Sequence, residues 1–313
     1  MRIVFMGTPE FAVPSLRSLI DAGHEIPLVV TQPDRPKGRG RKPTPSAIKQ
    51  VALSNGIPIA QPDDVNAEEN LALVRRADPE AIVVVAFGQI LRKPLLSLPP
   101  KGCLNLHASL LPRYRGAAPI HRALINGDRV TGVTTLYMTE AMDAGDIILS
   151  REVAIADDDT VETLSSRLAA IGATLLCETL RMVAEGNAPR SPQKETEASF
   201  APKVTKEEAH IRWQSNTEAV RNLVRGTNPH PGAFAFFRGS LLKIWWVERA
   251  APLSGWEAAA AGEIVGLDRG GTPLVRAGDG LLSLARVQPA DRRQMSGAEW
   301  ARGAHLHTGE RLT

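Results

Sequence analysis

The sequence predicts an α/β fold with a mainly parallel sheet, followed by a small β-barrel domain. Three observations predict it. In the first half, apolar runs alternate with helical stretches. One of those runs, 81–86 (AIVVVA), carries no polar residue, as a strand buried on both faces requires. After about residue 207 the apolar runs become short and glycine-rich turns separate them, the grammar of a small barrel. A chain of 313 residues suffices for two domains. We expect them at 1–189 and 207–313, joined by a polar, proline-containing linker at 190–206. No apolar run approaches the ~18 residues that span a bilayer. The apolar run that follows Arg2 is too short for the core of a signal peptide. The two cysteines, Cys103 and Cys177, make neither a disulfide framework nor a metal site. We therefore expect a cytoplasmic protein with no membrane association and no metal.

In order, residues 2–6 (RIVFM) read as a buried strand, Gly7-Thr8-Pro9 as a turn, 11–22 as a helix stopped by Gly23, and 26–31 as the next strand. This unit argues a parallel sheet with crossover helices. The first turn holds one glycine rather than G-x-G-x-x-G. A dinucleotide's pyrophosphate would lack its cradle, which excludes a nicotinamide or flavin enzyme despite the Rossmann-like start. Residues 32–43 (QPDRPKGRGRKP) hold prolines and glycines that exclude helix and sheet interior, and should be mobile. Over 32–50, Arg35, Lys37, Arg39, Arg41, Lys42 and Lys49 stand against Asp34 alone, a charge of +5; the chain's +3 leaves −2 elsewhere. A loop this long is functional or disordered. Basic side chains on it fit phosphates and unstacked bases; a solvated surface loop is the plain alternative.

A helix follows at 44–55, stopped by Gly56. Asn66 and Glu69 read as a capping pair before a helix at 70–77. Phe87-Gly88-Gln89-Ile90-Leu91 is a loop at the edge of the 81–86 strand, with Phe87 either lining a pocket or plain core. Residues 119–126 read as a helix ended by Gly127, and 132–138 and 147–153 as strands. Asp159 with Glu162 caps a long helix at 160–185, stopped by Gly186. In the second domain a helix near 217–225 precedes strands at 234–237, 241–247, 263–267, 274–277 and 281–287. All five tryptophans, Trp213, Trp245, Trp246, Trp256 and Trp300, fall here. Core or hairpin packing accounts for most of them better than base stacking does.

The chain is organised around 102–119 (GCLNLHASLLPRYRGAAP). Along a strand, residues two apart share a face, so Cys103, Asn105 and His107 look one way and Leu104 and Leu106 the other. An amide and an imidazole at a strand's C-terminal end look into the crevice where open α/β sheets bind ligands. Both can donate hydrogen bonds, and two converging donors suit an oxyanion. Satisfying nearby backbone is the alternative. Asp143, in the loop 141–146 (AMDAGD), could hold the imidazole protonated and help move a proton, or simply bond its own loop. Cys103 as a nucleophile with His107 as base is a rival; a lone Cys in an apolar strand is more simply core.

The set Asn105-x-His107, Ser109-Leu110-Leu111-Pro112, Tyr114-Arg115-Gly116-Ala117-Ala118-Pro119 and Met142-Asp143-x-Gly145 resembles the folate-dependent formyltransferases in order and spacing. The resemblance implies a Rossmann-like formyltransferase domain followed by an OB-like barrel that contacts transfer RNA. It implies transfer of the formyl group of 10-formyltetrahydrofolate, as substrate, to the amino group of methionine on initiator transfer RNA (methionyl-tRNA). Asn105 and protonated His107 would stabilise the oxyanion, and Asp143, through a water, would hold His107 charged and relay protons. Ser109, Leu110, Leu111 and Pro112 would cradle the folate, and the loop at 87–91 would line the pterin pocket. The basic loop lies where the family binds transfer RNA, so Arg39, Arg41 and Lys42 would touch the acceptor end, Arg39 foremost. Residues 228–234 (NPHPGAF) resemble the opening motif of the family's barrel, with His230 in place of its tryptophan. Arg292-Arg293-Gln294-Met295 matches a later motif in part, with Asp291 where the family has glycine. No protein partner is implied. A sugar-nucleotide formyltransferase using the same folate, and a non-catalytic RNA-binding protein on this fold, are the alternatives. The basic loop argues against the first and the intact Asn105, His107 and Asp143 against the second.

Overall fold

The computed structural model describes residues 1–37 and 42–313, without the side chains of Lys37, Lys42 and Pro43. The chain forms two compact units. The first comprises Met1–Pro119, Val130–Ala154 and Ser165–Ala201; the second comprises Ile120–Arg129, Ile155–Leu164 and Pro202–Thr313. Among the described residues, no helix is long and apolar enough to cross a membrane.

The chain begins β1 (Arg2–Gly7), α1 (Val13–Asp21), β2 (Glu25–Val30), β3 (Arg35–Lys37), β4 (Lys42–Thr44), α2 (Ala47–Ser54), β5 (Ile59–Ala60) and α3 (Glu68–Arg76). It continues β6 (Ala81–Val85), α4 (Lys93–Leu96), β7 (Cys103–His107), α5 (Pro119–Ile125), β8 (Val130–Tyr137), β9 (Ile147–Ala154) and α6 (Val161–Glu185). The main sheet runs β5-β2-β1-β6-β7-β8-β9. β5, β2, β1, β6 and β7 pair in parallel, and β8 and β9 add antiparallel. β6 is fully apolar, and β1 is apolar after Arg2, because both faces are covered there. Val4, Met6, Ile82, Val84 and Cys103 share one face, under Leu71, Val74 and Phe87. On the other face Leu106 meets α6 so closely that a Cβ at Gly172 would lie 2.7 Å from its Cδ2. The chain leaves β1 for β2 on one side and returns to β6 on the other. This switch of direction opens a crevice at the C-terminal ends of the strands.

Three local expectations change. The basic segment holds an antiparallel hairpin: β3 pairs β4, with Arg35 opposite Thr44 and Lys37 opposite Lys42. A two-stranded ribbon has only edges, and there proline's missing donor is tolerated. Asn66 does not cap α3. Its amide donates to the Ile90 carbonyl and accepts from the Arg92 N–H, tying two loops, and α3 starts after Ala67 with no side-chain cap. At α6 the Thr160 hydroxyl accepts from the Thr163 N–H. Asp159 turns instead to the Ala156 N–H and the Thr163 hydroxyl.

The second unit holds α7 (Thr217–Thr227), β10 (Phe234–Phe237), β11 (Ser240–Ala250), β12 (Ile264–Leu267), β13 (Pro273–Arg276), β14 (Leu281–Pro289), β15 (Met295–Ser296) and α8 (Gly297–Gly303). Its antiparallel sheet runs β10-β11-β14-β13-β12, with β15 on β14. Two register shifts between β11 and β14, around Trp246, curl it into an OB-like barrel domain. Trp213 and Trp300 are buried in its core with Ile244 and Val287. Trp245 is half-buried, donates to Gln288 Oε1, and lies under the Lys243 ammonium.

Candidate active site

β7 places Asn105 and His107 on one face at its C-terminal end, both buried. Parallel pairing with β6 and antiparallel pairing with β8 fix the strand on both sides, Asn105 standing between Val84 and Leu136. The loop between β8 and β9 carries Asp143 back over this end. Asp143 sits at φ +51°, a left-handed conformation that a non-glycine residue adopts only under restraint. Its Oδ1 accepts from Asn105 Nδ2 at 3.2 Å and its Oδ2 from the Gly116 N–H at 2.8 Å. His107 Nδ1 lies 3.6 Å from Oδ2, a direct ion-pair distance where a bridging water had been expected. His107 Nε2 lies 2.9 Å from the Tyr114 carbonyl. Nε2 is thus within hydrogen-bond distance of its oxygen, whereas Nδ1 faces the carboxylate from beyond that distance.

The geometry leaves donors to spare. At 3.6 Å the Nδ1 proton is not spent in a hydrogen bond. The Asn105 amide has a second proton beyond the one given to Asp143. An amide proton and, on a protonated ring, an Nδ1 proton, held beside one carboxylate, can meet an oxyanion.

Residues 109–112 form a tight turn next to this group. The Ser109 hydroxyl donates to the Arg113 carbonyl at 2.6 Å, and the Thr134 hydroxyl donates to the Ser109 carbonyl at 2.7 Å. The Leu111–Pro112 peptide bond is cis. Ser109 and Leu111 are buried, and Leu110 and Pro112 half-buried. Leu110 lies over Gly132 on β8, where a Cβ would come within 2.5 Å of its Cδ2. Phe87 is core, and its carbonyl accepts from the Thr8 hydroxyl and the Gln32 amide. Cys103 is also core, and burial pushes its thiol up to about 12. A thiol held neutral in this way is a poor nucleophile.

Arg39 and Arg41 lie outside the described residues, and so does the side chain of Lys42, whose backbone opens β4. At the base of the hairpin, Lys49 bonds Asp34 at 2.6 Å and Gln61 bonds it at 2.8 Å. The Lys49 hydrogen bond draws the Asp34 carboxyl below its usual range.

Sequence reasoning overlooked a second layer. Residues 191–201 pack along the site. The Ser191 N–H and carbonyl both bond Ile147, the Ser199 hydroxyl accepts from the Tyr114 N–H, the Arg115 N–H donates to the Ser199 carbonyl, and the Arg115 carbonyl accepts from the Ala201 N–H. Gln193 bonds the Asp143 loop, and Arg115 is buried against Gln193 and Glu195. The signal available was polar residues without period, which reads as linker.

Comparison with known proteins gives two domain matches. The formyl transferase family matches residues 1–180, and the C-terminal domain of formyl transferases matches residues 203–305. Curated relatives named methionyl-tRNA formyltransferase include that of Halothermothrix orenii, 48% identical over 315 residues and covering 100% of both chains. That of Moorella thermoacetica is 47% identical, covering 100% of this chain and 99% of its own. That of Bacillus subtilis is 44% identical, covering 99% and 97%. Among solved structures, HypX of Aquifex aeolicus in complex with tetrahydrofolic acid has a TM-score of 0.65 at 17% identity, covering 100% of this chain and 50% of that one. The sugar 3N-formyl transferase WlaRD has a TM-score of 0.67 at 18% identity, covering 94% and 99%. Likeness at that identity is likeness of fold.

Proposed function

The chain belongs to the formyl transferase family, and from that premise we propose that it is an enzyme that transfers a formyl group to the amino group of methionyl-tRNA, supporting translation initiation. The family draws on folate, and we assign 10-formyltetrahydrofolate as the donor substrate and the initiator species as the acceptor. The working division is a catalytic domain at 1–189, a connecting segment at 190–206 whose residues up to Ala201 cluster with the first unit, and an RNA-contacting domain at 207–313, in a cytoplasmic enzyme.

The chemistry follows from the donors left free. The free amine of methionine attacks the formyl carbon, and the carbonyl oxygen becomes an oxyanion. The second Asn105 amide proton and the His107 Nδ1 proton meet it. Collapse re-forms the carbonyl and breaks the bond from carbon to the folate nitrogen. The attacking nitrogen loses a proton and the folate nitrogen gains one, and Asp143 relays protons between them through His107. Ser109, Leu110, Leu111 and Pro112 cradle the folate. Arg39, Arg41 and Lys42 hold the acceptor end of the RNA.

The carboxylate, amide and imidazole brought within 3.2 Å and 3.6 Å of one another carry this reading. The test is incubation with 10-formyltetrahydrofolate and charged initiator or elongator transfer RNA, scoring formyl-methionine. Formylation of the initiator species is expected. Formylation of a sugar nucleotide with no RNA used would contradict the substrate, and no transfer to any amine would contradict the enzyme.

A further inference from the structure

We propose that Gln193 is a positioning residue for this reaction, one that holds Asp143 in its left-handed conformation, with Arg115 and Glu195 fixing Gln193 in turn. The inference rests on the proposed function above.

The hydrogen bonds close around one amide. Gln193 Nε2 donates to the Asp143 carbonyl at 2.8 Å and to the Gly145 carbonyl at 2.8 Å. Gln193 Oε1 accepts from Arg115 Nε at 3.0 Å and from Nη2 at 2.9 Å. All the bonding capacity of the amide is used, two donors and two lone pairs. The assignment of its oxygen and nitrogen follows from the partners, since two carbonyls can only accept and a guanidinium can only donate. Arg115 gives its other edge to Glu195, Nη1 to Oε2 at 2.9 Å and Nη2 to Oε1 at 2.8 Å. Arg115 is 3% exposed, and Glu195 stands in solvent. The guanidinium draws the Glu195 carboxyl below the usual carboxylate range.

This network spans the site twice. Arg115 immediately precedes Gly116, whose N–H donates to Asp143 Oδ2. Gln193 holds the backbone of the same Asp143 from the other side. A residue at φ +51° without glycine's freedom persists only where its surroundings over-determine it, and here two carbonyls of the loop share one donor group. The consequence is a carboxylate with a fixed distance to His107 and Asn105. A misplacement near 1 Å at a reacting group can cost ~10²-fold in rate.

The test is Gln193→Glu, which nearly preserves shape and the link to Arg115 but sets oxygen against the two loop carbonyls. Its expected signature is a fall in kcat of ~10²-fold with KM for transfer RNA and tetrahydrofolate binding unchanged. The fall should vanish in the Asp143→Asn background, because a residue acting only through Asp143 has nothing left to position. Arg115→Lys, which keeps the charge but loses the two-pronged grip, should show the same signature at smaller size. Should Gln193→Glu fail to bind tetrahydrofolate, Arg115→Lys decides alone. Wild-type kcat in the variant, a loss appearing in KM for transfer RNA, or a fall that multiplies with Asp143→Asn would each overturn the inference. Absence of formyl transfer by the wild-type enzyme would instead overturn the function on which it rests.

Discussion

At the scale of single residues, the account depends on which protons are free. Asn105 gives one amide proton to Asp143 and, in the proposed mechanism, the other to the reacting oxygen. Asn105→Ala removes one oxyanion donor, and single-turnover formyl transfer should fall by ~10²–10³-fold while RNA binding is retained. Cys103→Ala makes the opposite forecast. Burial pushes that thiol up to about 12, so no thiolate is available to carry a formyl group, and the transfer rate should match wild type. Loss of transfer in that variant would restore the thioester route. The shared face of Asn105 and His107 was legible in the sequence because a strand's period is two. Asp143 was legible as a candidate only with the rest of the motif beside it, since a loop aspartate has no period. Its direct approach to His107 was not legible. That depends on a left-handed backbone at Asp143 and on hydrogen bonds from Gly116 and Gln193, which are set by tertiary packing.

At the scale of elements, strands were easier to read than their connections. Long apolar runs such as 81–86 have few alternatives, and β6 lies where the run does. The pairing of β3 with β4 was hidden because Pro36 and Pro43 match loop composition. A two-stranded ribbon asks for no apolar face. β5, α4 and β15 are too short to show a period. The caps at α3 and α6 were misassigned for one physical reason: Asn66 bonds a neighbouring loop and Asp159 its own, and polar side chains choose among backbone partners that sequence does not rank. The loop between β8 and β9 offers a test at this scale. A Cβ on Gly145 would sit 1.8 Å from the Tyr137 carbonyl oxygen, so backbone must move to admit it. Gly145→Ala should lower stability by about 1–3 kcal/mol in thermal or urea unfolding, and should lower kcat by displacing Asp143. Unchanged stability would mean that the close approach is not maintained.

At the scale of the molecule, two compact units are joined in one chain; the change of grammar near residue 207 marks the run of short strands in the second, whereas nothing in the sequence signals that Ile120–Arg129 and Ile155–Leu164 cluster with it. The charge distribution bears on how the RNA is taken up. A net +5 over 32–50 against −2 elsewhere concentrates attraction for phosphate on one segment. Reversing Arg39 and Arg41 together should weaken use of methionyl-tRNA and flatten its dependence on salt, by about one unit of slope for each phosphate that is no longer neutralised. Tetrahydrofolate binding should be unaffected. A salt slope equal to wild type would remove the basic segment from the RNA-binding surface.

The most direct measurement on the whole assembly of carboxylate, imidazole and amide is single-turnover formyl transfer by Asp143→Asn with both substrates saturating. The variant preserves shape and removes the charge that faces His107 at 3.6 Å. Transfer should fall by ~10²–10⁴-fold while methionyl-tRNA and tetrahydrofolate still bind as in wild type. Transfer at the wild-type rate would contradict the account.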